Sequence, residues 1–489
     1  MLTAMNTVKG RPFACLPSAS PRGEPDRQGL PSRLWRDTAS DTMGKPVASC
    51  AVKNPGPLNR IAFHTFGCRL NQSETAIMER SFEVDGYTIV SLNNNPDIVV
   101  VNTCTVTENG DADTRRLVSR IHRQNPRVRI ALVGCQAQIQ KEQLAKLPNV
   151  CWVVGNARKM ELASLIRQSP WPTETQIITP AIPRESFTLP TAGIDRRHTR
   201  ANLKIQDGCD FFCTFCEIPY ARGRARSRIF EDILKEAHSL VAAGHKELVL
   251  TGINIGTYRY QNKTLLDILD QLEKLDDLVR VRISSIEPTT IPFELINRMG
   301  KTKLCRYLHI PLQSASDEVL RGMKRKYRSH EFAEFIRKAH ETVPEICIGT
   351  DIIVGFPGET EEDFQKTVDF IRELPFSYCH IFSYSDRTYN KSNRLKTKIS
   401  KEIIQKRSAI LRHLSQRKRF LFLQNLLGTT QTVLFEENKN GFWMGRTDNY
   451  AKVQAPSSIG LLNRIAKVKL LQISDQTAIG AISAFFTLL

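Results

Sequence analysis

The feature that most constrains this chain is a strand–helix alternation that runs twice. From residue 60, apolar runs at 61–65, 97–102 (DIVVVN), 129–133 and 151–154 alternate with stretches of helical spacing at 74–85, 112–124 and 139–147. That pattern predicts parallel βαβ units. Pro170, Pro172, Pro180, Pro183 and Pro190 then mark a linker. The second alternation has strands at 202–206, 247–251, 280–284, 307–311, 348–354 and 378–382. Helices fit between them, as at 231–243, where Ile233, Leu234, Ala237, Leu240 and Val241 share one face. Six such units over about 190 residues predict a parallel barrel, complete or partial. After a basic helical stretch at 401–425, short β-prone runs at 431–435, 450–453 and 466–473 predict a small all-β module.

The expected organisation is therefore an α/β chain: a parallel-sheet domain at 60–170, a linker at 171–194, a barrel domain at 195–427 and an all-β domain at 428–489. Residues 1–59 hold eight prolines, no sustained hydrophobic period and no apolar signal core. They are expected to be a disordered extension, with Met43 as an alternative start. No apolar run approaches the ~18 residues of a membrane helix, so no membrane partner is expected.

Charge narrows the partner. The 489 residues carry 69 Lys and Arg against 50 Asp and Glu, a net +19, which points to an anionic partner, nucleic acid ahead of a membrane surface. Arg222, Arg224, Arg226 and Arg228 alternate in one group; Arg321, Lys324, Arg325, Lys326 and Arg328 form a second, and Arg412, Arg417, Lys418 and Arg419 a third. Phosphate backbones are held by such groups, although a solvated face or internal ion pairs produce the same pattern. Phe442, Trp443, Arg446, Tyr450 and Lys452 mix aromatics with cations, which suits stacking on unpaired bases.

Twelve cysteines stand at 15, 50, 68, 104, 135, 151, 209, 213, 216, 305, 347 and 379. Cys209, Cys213 and Cys216 form a C-x3-C-x2-C set directly after the first barrel strand, where such barrels place their chemistry. Three thiolates on one loop can hold three irons of a cubane and leave the fourth open to a small molecule. Structural zinc is the alternative, but it takes four ligands, and no fourth Cys or His lies nearby. Cys68, Cys104 and Cys135 are spaced by 36 and 31 residues, one βα repeat each, and each follows a predicted strand. Parallel strands end along one edge, where ligands bind, so three thiols can converge there. Three buried small hydrophobes are the alternative reading.

The loop DGCDFFCTFC (207–216) resembles that of the radical SAM enzymes. That likeness implies a [4Fe-4S] cluster whose open iron chelates S-adenosylmethionine (SAM), with Phe215 near its adenine and a 5′-deoxyadenosyl radical as the product of one-electron cleavage. TFGCRLNQSE (65–74), NTCTVTENGDADTRR (102–116), VGCQAQ (133–138), KIQDGC (204–209), IPYARG (218–223), RISSIEP (282–288), HIPLQS (309–314) and DIIVGFPGETEEDF (351–364) follow in order. Together they resemble the methylthiotransferases, most of all the branch acting on threonylcarbamoyl-adenosine in tRNA.

Over residues 60–475 the resemblance implies a flavodoxin-like N-terminal domain, a radical SAM (β/α)6 partial barrel and a small all-β TRAM barrel that grips tRNA. It implies two [4Fe-4S] clusters, the auxiliary one on Cys68, Cys104 and Cys135 and the SAM-binding one on Cys209, Cys213 and Cys216. Gly252, Asn254, Ser285, Glu287, Gln313 and Asp351, at predicted strand ends, are the expected cofactor contacts beside Phe215. Arg222, Arg224, Arg446 and Lys452 are the expected contacts to the tRNA anticodon stem-loop. The reaction would place a methylthio group on C2 of the modified adenosine at position 37, in the cytoplasm, with a low-potential electron donor of flavodoxin or ferredoxin type. No general base is expected, because the C2–H bond resists proton abstraction and the cofactors carry the hard step. Alternatives are a sister enzyme acting on isopentenyl-adenosine or a ribosomal-protein aspartate, and a non-catalytic RNA-binding protein with a structural metal.

Three departures from the family pattern stand out: Ala315 after the Gln-Ser pair, the segment 385–390 (SDRTYN), and Glu217 after the third loop cysteine. They put loop geometry or substrate contact in question, and none is a ligand cysteine.

Overall fold

A computed structural model describes residues 59–105, 108–190, 199–395 and 397–485. The expected extension at 1–59 lies outside the described residues except for Asn59, as does part of the linker, 191–194. The first domain is a six-stranded parallel sheet in the spatial order Thr88–Ile89, Arg60–Thr65, Ile98–Thr103, Arg129–Gly134, Val150–Val154, Gln176–Ile178. Every residue of Ile98–Thr103 and Arg129–Gly134 is buried, as a parallel sheet covered on both faces requires. Alternate residues feed two cores: Val100, Ala131, Val133 and Trp152 on one face, Val99, Val101, Ile130 and Leu132 on the other.

The helices begin earlier than their apolar spacing indicates. The first runs Arg69–Val84, straight after Cys68, and its early residues Asn71 and Ser73 are buried polar groups that read as loop in the sequence. The helix expected at 139–147 is two short ones, Cys135–Ile139 and Lys141–Ala145.

Six parallel strands build the second domain: Arg200–Lys204, Glu247–Thr251, Arg280–Ile283, Tyr307–His309, Cys347–Val354 and Tyr378–Ser383. They stand in chain order as two three-stranded sheets. The bridges Val281↔Leu304 and Ser285↔His309 join those sheets, which makes a partial barrel. The first-domain helix Arg69–Val84 packs on the first barrel strand, and the Ser73 hydroxyl donates to the Asn202 carbonyl.

Helix Lys401–Asn425 leads to a closed five-stranded barrel of Thr430–Lys439, Phe442–Thr447, Lys452–Pro456, Thr477–Phe485 and Ile465–Ser474. Its core is Val433, Phe435, Val453, Val468, Leu470 and Ala478. Two of these strands, Phe442–Thr447 and Thr477–Phe485, are missing from the sequence expectation. Each holds a glycine that breaks the β pattern, and each glycine is there for close approach: a Cβ on Gly445 would lie 2.4 Å from the Leu434 carbonyl oxygen.

The small barrel docks on the outside of the third barrel strand. Val281 and Ile283 face the core while Arg280 and Arg282 face the C-terminal domain. There Arg280 donates to the carbonyls of Thr432 and Arg446, and Arg282 to those of Thr447 and Asp448. Glu247 holds Arg282 through two hydrogen bonds of 2.6 and 3.2 Å. Burial raises the Glu247 pKa, but Arg282, Arg200 and Arg280 outweigh it and bring the carboxyl down to about 2 from 4.5.

Because that folded value lies below the unfolded one, the contribution is complete above pH 4.5 and fades as pH falls toward 2. From the shift it amounts to about 3 kcal/mol. Glu247→Gln should therefore lower unfolding free energy by about 3–5 kcal/mol at pH 7, by leaving Arg282 unpaired. In urea titrations the gap between variant and parent should narrow steadily from pH 5 to pH 2. A gap independent of pH would contradict this account.

Candidate active site

The loop carrying Cys209, Cys213 and Cys216 follows the first barrel strand and is held tightly. The Cys209 N–H donates to the Gly223 carbonyl and that of Thr214 to Met323. Gly208 sits at φ +72°, and a Cβ there would fall 2.0 Å from the Arg224 carbonyl oxygen, so only glycine fits. Gln206 ties the loop to the next strand. Its amide donates to the Asp207 and Gly208 carbonyls, and its oxygen accepts from the N–H groups of Ile253 and Asn254. Donors reach the loop sulfurs, among them Phe211 N–H at 3.5 Å from Cys209 Sγ and Arg325 Nη1 at 3.3 Å from Cys213 Sγ. Burial pushes the Cys209 thiol up to about 11 and raises Cys216 further. As free thiols these would stay protonated at neutral pH, and metal binding is what would deprotonate them.

Cys68, Cys104 and Cys135 sit at the ends of three adjacent parallel strands. A Cβ on Gly67 would meet Cys104 Sγ at 2.7 Å, so the turn bearing Cys68 lies directly against Cys104. Burial raises the Cys68 pKa, with Cys135 adding to the rise, and the Asn156 amide lies 3.6 Å from Cys135 Sγ. Among the described residues, the trio of possible ligand atoms within 4.8 Å of one another is His309, Asp351 and His380, and neither cysteine set is that tight. Thiolates on a single zinc stand about 3.8 Å apart, given Zn–S bonds of about 2.3 Å.

Between the two sets lies a buried ion network. Glu74 is fully buried and is met by Lys159, by Lys204 at 2.7 Å and by both terminal nitrogens of Arg222 at 3.0 and 2.9 Å. Asp207, next to the loop, takes Lys204 at 2.7 Å and Arg222 at 2.9 Å, with Arg226 at 3.5 Å. Burial alone would raise the Glu74 pKa, yet Arg222, Lys159 and Lys204 hold it well below the carboxylate range.

Arg222 is therefore a correction: it was expected on tRNA, but it is fully buried and joins the two cysteine-bearing domains. Arg228 is likewise buried, on Asp232 and Glu236. Of the alternating arginines only Arg224 is exposed, 3.2 Å from Asp210. Arg325, from the second basic group, is buried on Glu287 and Cys213.

Two adjoining cavities open at the barrel mouth. A smaller one of about 190 Å³ is lined by Phe215, Cys216, Gln313, Asp351, Tyr384 and Arg387, among others. A larger one of about 900 Å³ reaches Cys68, Cys104, Gly252, Ser285, His309 and Asp351. Asp351 and Phe382 line both. The buried polar atoms without a hydrogen-bond partner include Thr251 Oγ1, Asn254 Nδ2, Ser284 Oγ, Gln313 Oε1 and Ser385 Oγ, on or near strand ends at this mouth. Buried polar groups are seldom left so, and a polar cofactor such as SAM fits them.

Two expected cofactor contacts also tie the strand ends together. The Asn254 oxygen accepts from Glu287 N–H and the Thr290 hydroxyl. Glu287 grips Arg325 and so aims it at Cys213. Lys452 is half-buried opposite Arg446 on the neighbouring strand.

Sequence reasoning missed Tyr378 and His380. The His309 imidazole lies 2.9 Å from Asp351 and 3.1 Å from the Tyr378 hydroxyl, whose other neighbour is Tyr307 at 2.7 Å. The usable signal was the alternation Tyr378, His380, Phe382, a polar-aromatic face where a barrel strand would carry aliphatics. Two family departures turn out to be partners. Arg387 binds Glu217 at 3.1 Å and Asp111 at 2.6 Å, and Thr105 bonds to both Arg387 and Glu217.

The model of the Radical SAM superfamily matches residues 203–371, and that of Uncharacterized protein family UPF0004 matches residues 60–155. A threonylcarbamoyladenosine tRNA methylthiotransferase MtaB from Aquifex aeolicus (strain VF5) is 37% identical over 83% of this chain and 99% of its own. Its namesake from Bacillus subtilis (strain 168) is 38% identical over 84% and 94%. A tRNA-2-methylthio-N(6)-dimethylallyladenosine synthase from Desulfotalea psychrophila (strain LSv54 / DSM 12343) is 32% identical over 82% and 92%. Among solved structures, the radical S-adenosylmethionine methyltransferase TsrM from Kitasatospora setae superposes with TM-score 0.52 at 16% identity, over 68% of this chain and 75% of its own, a likeness of fold. With two cysteine sets around one barrel mouth and relatives this similar along nearly their whole length, the chain belongs to the radical SAM methylthiotransferase family.

Proposed function

We propose that this chain transfers a methylthio group to C2 of N6-threonylcarbamoyladenosine at position 37 of tRNA, using radical SAM chemistry. The observation that carries the reading is the shared wall of the two cavities. Asp351 and Phe382 separate a chamber beside Cys216 from one lined by Cys68 and Cys104. A nucleobase seated there stands between both cysteine sets.

Cys209, Cys213 and Cys216 would hold the SAM-binding [4Fe-4S] cluster, and Cys68, Cys104 and Cys135 the auxiliary one. When bound, these groups supply the one-electron and sulfur chemistry that side chains lack. The chain's own residues bind and orient. Phe215 and Gln313 line the chamber for the adenosyl end, and Gly252 and Ser285 line the wall toward the larger cavity. Asp351 stands at the junction. Asn254 and Glu287 shape the strand ends, and Arg325 donates to Cys213 Sγ at 3.3 Å. Arg224 on the surface and Lys452 offer cations to the anticodon stem-loop, while Arg446 faces the larger cavity. The electron donor is a low-potential flavodoxin or ferredoxin, and the site of action is the cytoplasm. Among the described residues no helix is long and apolar enough to cross a membrane.

Replacing each cysteine set by alanine separates the roles. The Cys68/Cys104/Cys135 variant, reconstituted anaerobically, should keep about four irons and still cleave SAM on reduction, yet form no methylthio product. The Cys209/Cys213/Cys216 variant should keep the other cluster and cleave none. Equal iron loss and no SAM cleavage in both would contradict the assignment.

Substrate choice is read by nucleoside mass spectrometry after incubation with anticodon stem-loops. The threonylcarbamoyl nucleoside should be converted to its 2-methylthio form while the isopentenyl nucleoside is left unchanged. Conversion of only the isopentenyl loop would overturn the substrate assignment.

A further inference from the structure

The larger cavity has one wall that the proposed chemistry does not use. Arg69 follows Cys68 in the first domain, Arg419 lies on helix Lys401–Asn425, and Arg446 lies on a strand of the C-terminal barrel, so each part of the chain contributes one guanidinium to this cavity. They gather around Tyr450. Arg69 donates to the Tyr450 hydroxyl at 2.7 Å, Arg419 donates to its carbonyl at 3.0 Å, and Arg446 stands 4.4 Å from the ring centroid.

The positive charge there is not neutralised from within. Among the described residues neither Arg69 nor Arg419 has a carboxylate within ion-pair distance, and Arg446 has only Glu436 at 3.9 Å, which Arg200 also holds. Asp351, the one carboxylate lining this cavity, is engaged by His309. Burial and the neighbouring Arg200 and Arg419 lower the Arg446 pKa. At Tyr450 burial acts upward, yet Arg69, Arg446, Arg200 and Arg282 together bring the phenol down to about 8. Tyr450 also holds φ at 64°, a left-handed conformation rare for a bulky side chain. Such strain persists where a site over-determines it. Clustered like charges in a half-buried wall are costly unless an anion joins them.

We propose that this wall of Arg69, Arg419 and Arg446 around Tyr450 receives the carboxylate of the substrate's threonylcarbamoyl group and thereby sets substrate specificity. The inference rests on the substrate proposed above. C2 and N6 of adenine flank N1 on one ring edge, so a base whose C2 faces the reacting centre keeps its N6 substituent in the same cavity. The 900 Å³ volume lies within the range of about 300–1,000 Å³ typical of small-molecule sites. An isopentenyl group has no charge to offer these arginines and leaves them unpaired, which penalises the wrong nucleoside. A backbone phosphate is the other anion that could fill the wall, and the experiment separates the two.

Reconstituted enzyme is given anticodon stem-loops carrying threonylcarbamoyladenosine or its carboxamide analogue, with Kd by fluorescence anisotropy and kcat/KM by product formation. The parent enzyme should prefer the acid by about 10- to 100-fold, the usual worth of a hydrogen bond to a charged group. In Arg446→Gln and Arg419→Gln the preference should fall to about threefold or less, with Arg446→Lys retaining part of it. Equal use of acid and amide by the parent enzyme overturns the proposal without any variant. Variants that weaken both loops by the same factor also overturn it and assign the wall to phosphate. If the parent converts neither loop but does convert an isopentenyl loop, the substrate reading fails and this inference falls with it. If it converts the acid, that reading stands whatever the acid-to-amide ratio shows.

Discussion

The two cysteine sets belong to different domains, and what holds them in register is the buried cluster of Glu74, Lys159, Lys204, Asp207 and Arg222. A lone buried carboxylate is expensive, and a pair of charges in the interior recovers that cost only when geometry and hydrogen bonding are complete. Here Glu74, Lys204, Asp207 and Arg222 each have several partners, and Lys159 adds a further cation on Glu74. Arg222 alone bonds to Glu74, Asp207 and Asn71. Asp207 is two residues from Cys209, and Glu74 is six residues from Cys68. A slip of either domain would strand a buried charge, so the network makes the relative placement of the two sets a steep energy minimum. The cations also outnumber the acids, which suits a region flanked by thiolates.

A second joint follows the same logic on the other side of the cavities. Glu217 and the 385–390 segment each read as a departure from the family when taken singly. In space Arg387 meets both Glu217 and Asp111, and Thr105, next to Cys104, completes the set. The two departures compensate one another. The third joint is that of the C-terminal barrel, where Arg280, Arg282 and Arg306 reach backbone carbonyls and Asp448. It brings Tyr450 and Arg446 to the rim of the larger cavity. The same family of interaction, guanidinium to acid or carbonyl, thus closes all three seams, and the reactive space is what remains between them.

Much of the architecture was legible in the chain. Period-2 and period-3.6 patterns identify the alternation, and the six barrel strands stand within a few residues of expectation. Failures have specific causes. The first helix starts ahead of its apolar spacing because Asn71 and Ser73 are polar yet buried, and apolar spacing cannot see such residues. Strands Phe442–Thr447 and Thr477–Phe485 were missed because Gly445 and Gly480 dilute the β signal where backbones must approach closely. Arg222 and Arg325 were counted as surface charge because their partners, Glu74 and Cys213, lie 148 and 112 residues away.

What the sequence by itself determined is local or periodic: the βα repeat, the three cysteines on one tight loop, the three at matched strand ends, and the excess of positive charge. Each follows from spacing along the chain, which secondary structure converts directly into direction. What only the tertiary structure decided is which charges are spent inside. Of the arginines that suggested nucleic acid, several are consumed in holding domains together, while Arg419 and Arg446 meet Arg69 around a tyrosine that adjacency alone would not have linked to Cys68. Long-range pairing is set by the packing of whole domains, and no spacing rule along a single chain encodes it.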